Sequence, residues 1–296
     1  MNRAIRFVVC IPLIMSLLNA QPAHADHGQV IRVTLTSVWS TPSPDPMGIT
    51  YDPRTRRLLI SDSEVDEIPA LWRGHNLFVA RRKGNLVSAR TFKKFTVEPE
   101  DVALDSGHDA LYVTDDDLDR VFRDKPGRDG LFGTRDDVVA TVLRTHRFGS
   151  FDPEGLTYFA AKRMLIVSDS TSHRVYKIRR GKDGRFGTRD DFIRSFGIHK
   201  YGFTTAEDVL VTPRTHHFLI VSSRQDFILE TTWNGALVRK IDLTGLGIKA
   251  ASGITFAPGT DGSPRRLYLT DSGVDNAVNP NENDGRVFEL KIVKGP

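Results

Sequence analysis

Five copies of one sequence unit run along this chain, and no other feature narrows its possible folds as far. The copies open at Met47-Gly48-Ile49-Thr50, Glu100-Asp101-Val102-Ala103, Glu154-Gly155-Leu156-Thr157, Glu207-Asp208-Val209-Leu210 and Ser252-Gly253-Ile254-Thr255, at steps of 53, 54, 53 and 45 residues. A second apolar run follows in each: Leu58-Leu59-Ile60, Leu111-Tyr112-Val113, Leu165-Ile166-Val167, Leu219-Ile220-Val221 and Leu267-Tyr268-Leu269. Four of these five end in Ser-Asp or Thr-Asp, at Asp62, Asp115, Asp169 and Asp271, while the fourth copy has Ser223. A third run comes next: Leu77-Phe78-Val79, Arg120-Val121-Phe122, Arg174-Val175-Tyr176, Phe227-Ile228-Leu229 and Arg286-Val287-Phe288.

Short runs rich in β-branched and aromatic residues, bounded by Gly, Pro, Asp and Asn, predict strands. Their nearly continuous apolar character suits sheets covered on both faces. A fourth strand is expected at 86–90, 138–143, 192–196 and 236–243, but the fifth copy ends after its third. The unassigned run at 30–39 can supply the missing outer strand and close the ring. Four-stranded units repeated radially make a β-propeller, here of five blades. A sixth blade lacks residues to build it, and a β-sandwich gives no reason for the period.

The first 25 residues read as a signal peptide. Arg3 and Arg6 form the positive n-region, 7–18 an apolar run, and Ala23-His24-Ala25 the small residues before a cleavage site. The run is shorter than the roughly 20 residues a spanning helix needs, and no later stretch could cross a membrane. Cleavage near Ala25 would leave 26–296 as one secreted or periplasmic domain and remove the single cysteine, Cys10. Stability must then come from core burial and bound metal rather than disulfides. Removing the two arginines lowers the net charge from +4 to +2, and acidic clusters interleave with the basic residues, so nucleic acid is not an expected partner. A monomer is expected.

Two features sit at fixed places in the unit. Between the third and fourth strands, copies two and three carry the near-duplicates 127–137 (Gly-Arg-Asp-Gly-Leu-Phe-Gly-Thr-Arg-Asp-Asp) and 181–191 (Gly-Lys-Asp-Gly-Arg-Phe-Gly-Thr-Arg-Asp-Asp). Asp129, Thr134, Asp136 and Asp137, with Asp183, Thr188, Asp190 and Asp191, offer the oxygens of two structural Ca²⁺ sites. The same residues also suit solvated acidic turns. These hairpins are expected on the face opposite the strand starts.

The other feature is the start of the innermost strand, where the column reads Met47, Glu100, Glu154, Glu207, Ser252. Three carboxylates at one channel mouth should share a cation or have raised pKa values. His146 and His199 each lie eight residues before a glutamate, and the inter-blade loops are expected to bring them to the same rim. The alternative is that the glutamates cap backbone amides and the histidines sit in solvent.

The run from Pro153 to Tyr158, with Leu165 to Asp169 and Arg174-Val175-Tyr176, resembles NHL and SMP-30/gluconolactonase-like propellers. The Leu-Ile-Ser-Asp-Ser-Glu-Val-Asp-Glu segment at 59–67, the Gly-Thr-x-Asp-Asp loops and the Asp-Asn…Pro-Asn-Glu-Asn-Asp-Gly segment at 275–285 resemble bacterial secreted modules that accompany calcium-binding or phytase-like modules. Gluconolactonase-like enzymes hold an axial divalent metal with Glu, Asn and Asp; the glutamates fit, but no Asn stands in the corresponding column.

Two functions follow. One is a calcium-stabilised binding or scaffold propeller, with a small molecule, glycan or protein held at the rim by the long loops 63–75 and 272–285. Those loops carry Trp72, Asp275, Asn276, Asn281 and Asp284. The other is a metal-dependent lactonase or phosphoesterase, with a cation on Glu100, Glu154 and Glu207 and His146 or His199 as general base. No Gly-x-Ser-x-Gly elbow, dinucleotide or P-loop motif is present.

Overall fold

The structure, a computed structural model, describes residues 25–67, 72–107 and 109–295. The segment read as a signal peptide, apart from Ala25, lies outside them. β1 (His27–Leu35) precedes the first copy. β2 (Pro46–Asp52), β3 (Arg57–Asp62), β4 (Leu77–Arg81) and β5 (Leu86–Arg90) form a four-stranded antiparallel sheet in that order. A second is β6 (Val102–Asp105), β7 (Ala110–Asp115), β8 (Arg120–Lys125) and β9 (Val138–Arg144). A third is β10 (Pro153–Phe159), β11 (Met164–Asp169), β12 (Arg174–Arg179) and β13 (Phe192–Gly197).

The remaining strands are β14 (Asp208–Val211), β15 (Phe218–Val221), β16 (Phe227–Thr231), β17 (Leu237–Asp242), β18 (Ala251–Ala257), β19 (Arg266–Asp271) and β20 (Arg286–Val293). They form one eight-stranded sheet in the order β14-β15-β16-β17-β1-β20-β19-β18. β1 runs antiparallel to β20 from His27↔Val293 to Leu35↔Arg286, and touches β17 at a single parallel pair, His27↔Asp242. That one pair joins two four-stranded sets. β1 ends at Leu35 rather than 39, because the Thr36 amide bonds the Gly285 carbonyl and its hydroxyl the Ser43 carbonyl, turning the chain toward β2.

The first strands of the copies touch one another in a closed cycle: β2 with β6, β6 with β10, β10 with β14, β14 with β18, and β18 with β2. Hydrophobic clusters fill the seams between neighbouring sets. Ile166, Val175 and Phe203 meet Val209, Phe218 and Ile220 in one seam, and Ile49, Ile60 and Phe78 meet Tyr268 and Val287 in another. The second strands β7 and β11 are buried along their whole length, which explains their unbroken apolar runs, while the outer strand β13 is largely exposed. Among the described residues no helix is long and apolar enough to cross a membrane.

Neighbouring first strands approach so closely that one column alternates between two residue types. Behind the glutamate column it reads Gly48, Asp101, Gly155, Asp208, Gly253. Asp101 and Asp208 are buried, and each bonds the amide of the following first strand: Leu156 N to Asp101 Oδ2 and Ile254 N to Asp208 Oδ2, both at 2.6 Å. The two carboxyls also bond each other. Burial raises both pKa values, Asp208 to about 7, so one proton held between them removes the repulsion. The second strands stitch the same seam: Ser61 Oγ bonds the Glu100 carbonyl, Thr114 Oγ1 the Glu154 carbonyl and Thr270 Oγ1 the Met47 carbonyl.

Candidate functional site

The leading residues of the innermost strands converge. Met47, Glu100, Glu154 and Glu207 line one cavity of about 470 Å³, so three carboxylates from three different copies face a common space. Connections into the first strands and loops after the second strands add Asp45, Glu64, Glu98, Asp116, Asp152 and Asp275. Nine of the lining residues are therefore acids, against one lining cation, Arg224.

The Ser/Thr-Asp endings of the second strands hold these connections in place. Asp62 Oδ2 accepts from Ser43 Oγ and from the Asp45 amide, and Asp169 Oδ2 accepts from the Asp152 amide at 3.0 Å. Asp271 Oδ1 accepts from the Lys249 and Ala250 amides. In the fourth copy Ser223 instead donates to Glu207 Oε1 at 2.6 Å, fixing that glutamate directly. The repeated aspartates are thus loop anchors, and they leave the cavity's own acids to face inward.

Crowding and burial act together on those acids. Desolvation pushes the Glu100 carboxyl well up, and Asp116, Glu64 and Glu207 push it further, while a hydrogen bond with Glu154 offsets part of the rise. Glu154 is raised by burial and then by Glu100, Glu207, Asp116 and Asp152. Burial also raises Glu207, brings Asp116 to about 6 and brings Asp45 to about 9. Glu100 Oε2, Asp116 Oδ1 and Asp45 Oδ1 are buried without any hydrogen-bond partner. An acid left in that state lacks the compensation that burial demands, and a cation among these oxygens would supply it. One oxygen each from Asp116, Asp152 and Glu154 lie within 4.8 Å of one another, as do oxygens of Glu98, Asp115 and Asp116. The donor set, all carboxylate, suits a hard divalent cation.

Glu154 therefore groups tightly with Asp116 and Asp152, which stand outside the glutamate column, while staying hydrogen-bonded to Glu100 within it. Asp116 and Asp152 are the metal-site candidates that sequence reasoning missed, and Asp45, Glu98 and Arg224 are further lining residues it did not name. The first two were each visible beside a recognised motif: Asp116 directly follows the Thr114-Asp115 ending, and Asp152 stands two residues before Glu154.

The histidines are a correction. Neither His146 nor His199 lines the cavity, and both are exposed. Each lies in a short 3₁₀ turn closed by a left-handed glycine, Gly149 or Gly202. His146 Nδ1 lies 3.7 Å from Asp119, and His199 stacks on His173. They cannot serve as bases for the glutamate cavity.

The acidic loops are a second correction in placement. They do not stay at the hairpin end but fold back into the seams beside their blades. Phe132 is buried with Leu77, Phe92 and Leu111, and Thr91 N bonds the Gly133 carbonyl at the far end of β5. Phe186 packs against Tyr112 and Tyr158 in the next seam. Asp129, Asp136 and Asp137 gather oxygens within 4.8 Å; among the described residues the set Asp183, Asp190 and Asp191 does not. In both loops the carboxylates accept from loop amides and from Thr134 or Thr188, and these bonds lower the pKa of Asp136 and Asp190. Of the rim-loop residues, Asp275 lines the cavity and Asn276 is buried, its side-chain amide tying the Asn279 and Glu282 carbonyls of its own loop.

Solved structures place this architecture among known folds. The luciferin-regenerating enzyme shares 12% identity over 91% of this chain and 98% of its own, with a TM-score of 0.54. An aldose sugar dehydrogenase from Streptomyces coelicolor, in its PQQ-bound form, shares 13% over 93% and 100%, with a TM-score of 0.51. Regucalcin from Agrobacterium tumefaciens, described as a calcium-binding protein, shares 13% over 90% and 97%, with a TM-score of 0.50. The fold is a β-propeller. The resemblance to SMP-30-like propellers holds at the level of that fold. No protein-family model matches the sequence, and no curated protein matches it.

Proposed function

We propose that this propeller has five blades, is exported by residues 1–25, and hydrolyses a small lactone or phosphoester at a divalent cation held in its axial cavity. The observation that carries the reading is the buried, unpartnered Glu100 Oε2 inside a cavity with nine acids and one cation. Asp116, Asp152 and Glu154 would hold the cation, with Glu100 completing the set. When bound, it would polarise the ester and lower the pKa of water. Glu207, steadied by Ser223 and raised in pKa by burial, is the cavity acid placed to exchange a proton, the role assigned by sequence to the histidines. Arg224, the one lining cation among the described residues, supplies a positive charge for a developing oxyanion. A cavity of about 470 Å³ admits a small molecule.

Glu154→Gln is expected to cut metal-dependent turnover of an aryl lactone or aryl phosphate by about 100-fold or more. Its melting temperature in chelator should hold or rise, because one charge leaves a crowded site. Absence of wild-type turnover with Ca²⁺, Mg²⁺, Mn²⁺ and Zn²⁺ would overturn the hydrolase and leave a cation-dependent binding module. The gathered Asp129, Asp136 and Asp137 favour a structural Ca²⁺ in the first acidic loop as well. In the Glu154→Gln background, adding Asp136→Asn should abolish whatever melting shift chelator still produces. A shift of unchanged size removes calcium from that loop.

A further inference from the structure

A second cavity, of about 360 Å³, lies on the flank of the third blade and carries the opposite charge. Lys162, Lys177, Arg179 and Arg194 line it with Phe192 and Trp233, and none of its lining residues is acidic. Its floor is the face shared by β12 and β13, where Lys177 stands directly opposite Arg194 and Arg179 opposite Phe192. Lys162 arrives from the turn after β10, and Trp233 from the hairpin between β16 and β17 of the next blade.

Like charges directly opposite on a sheet destabilise it. Here three cations crowd together, and among the described residues none of the four forms an ion pair. Burial pushes the Lys177 pKa down, and the charged groups that act on it, Arg194 and Lys162, are of the same sign and push it further. Lys177 is only 7% exposed, yet its ammonium has just the Trp233 carbonyl, at 2.7 Å, and aromatic faces around it. The Trp233 ring, stacked on Phe218, holds Lys162 Nζ at 4.4 Å and Lys177 Nζ at 5.2 Å from its centroid. Phe192 does the same for the guanidinium groups of Arg194 and Arg179, at 4.8 and 5.2 Å. The aromatics position four positive charges toward one space while leaving their charge uncompensated.

We propose that this groove binds a compact anion bearing at least two linked phosphate groups. Two guanidinium forks suit bidentate contact with phosphate oxygens, and two ammoniums add point charges. Four cations in a cavity of this size match a diphosphate better than a singly phosphorylated ligand. The site is separate from the acidic cavity and does not depend on any chemistry there.

The test titrates metal-free full-length mature protein with inorganic pyrophosphate, orthophosphate and citrate at low ionic strength, following heat and tryptophan fluorescence. Pyrophosphate should bind about tenfold or more tightly than orthophosphate or citrate, and its affinity should fall as salt is added. Lys162→Gln with Arg194→Gln, both at exposed positions, should weaken pyrophosphate about tenfold or more without lowering the unliganded melting temperature. Glu154→Gln should leave pyrophosphate affinity unchanged. Failure of pyrophosphate to bind, or binding indifferent to Lys162→Gln with Arg194→Gln, overturns the site. Equal affinity for citrate overturns its phosphate character, and a response to Glu154→Gln assigns the binding to the acidic cavity instead.

Discussion

Chelation at pH 8 is expected to lower the melting temperature of this protein, and the loss should shrink toward pH 5. The sign follows from the cavity acids. Burial raises the folded pKa of Asp45, Glu100, Asp116, Glu154 and Glu207 above the unfolded value, so the folded state holds those protons more tightly and the stabilisation is fully present below the unfolded pKa. It is lost as pH rises through the folded values, which reach about 6 for Asp116 and about 9 for Asp45. Without metal, stability should therefore decline between pH 4 and 9. A divalent cation binds the ionised acids, so it offsets this decline where they are ionised and competes poorly with protons at pH 5. At a cation concentration a hundred times Kd the stabilisation is about 2.7 kcal/mol, or about 5–10 °C for a domain of this size. Thermal melts with and without chelator across that pH range check it. An indifferent melting temperature at pH 8, or a larger chelator effect at pH 5, removes the cation from the cavity.

Much of this architecture could be read from the chain because strands impose an even geometry on a repeated unit. Equivalent positions of the first strand must face one axis, so Glu100, Glu154 and Glu207 were bound to meet once the strands were recognised. The expected strands at 86–90, 138–143 and 192–196 match β5, β9 and β13 to within a residue. Loops carry no such periodicity. His146 lies in the 3₁₀ turn closed by Gly149, outside any strand, so no strand periodicity fixes which way it faces. The acidic loops held a clue that their carboxylates obscured. Phe132 and Phe186 occupy the same position in both copies, and an aromatic inside a charged hairpin signals a segment that plugs a seam rather than one left in solvent. The column Gly48, Asp101, Gly155, Asp208, Gly253 was equally visible, but its meaning needs the distance between neighbouring first strands, which no single unit contains.

That distance makes Gly155→Ala the substitution expected to damage the fold most. A Cβ at Gly155 would stand 2.6 Å from the Glu207 carbonyl oxygen and nearer still to Asp208 Cα and Ser168 Oγ. Two of these neighbours are backbone, already fixed by the ladder between β14 and β15 and by the Ile254 amide on Asp208. Neither can swing aside as a flexible side chain would. The blades must part, and parting them strains the Leu156 amide on Asp101 and the carboxyl pair beneath the acidic cavity. Overpacking of this kind costs about 3 kcal/mol or more, so the melting temperature should fall by about 6–12 °C. Gly107→Ala is the control: its added Cβ meets nothing nearer than Asp105 Oδ1 at 3.5 Å, and its melting temperature should stay within about 2 °C of wild type. Equal melting temperatures for the two variants would mean that the first strands do not approach as closely as the alternating column requires, and the convergence of the glutamates would lose its structural basis.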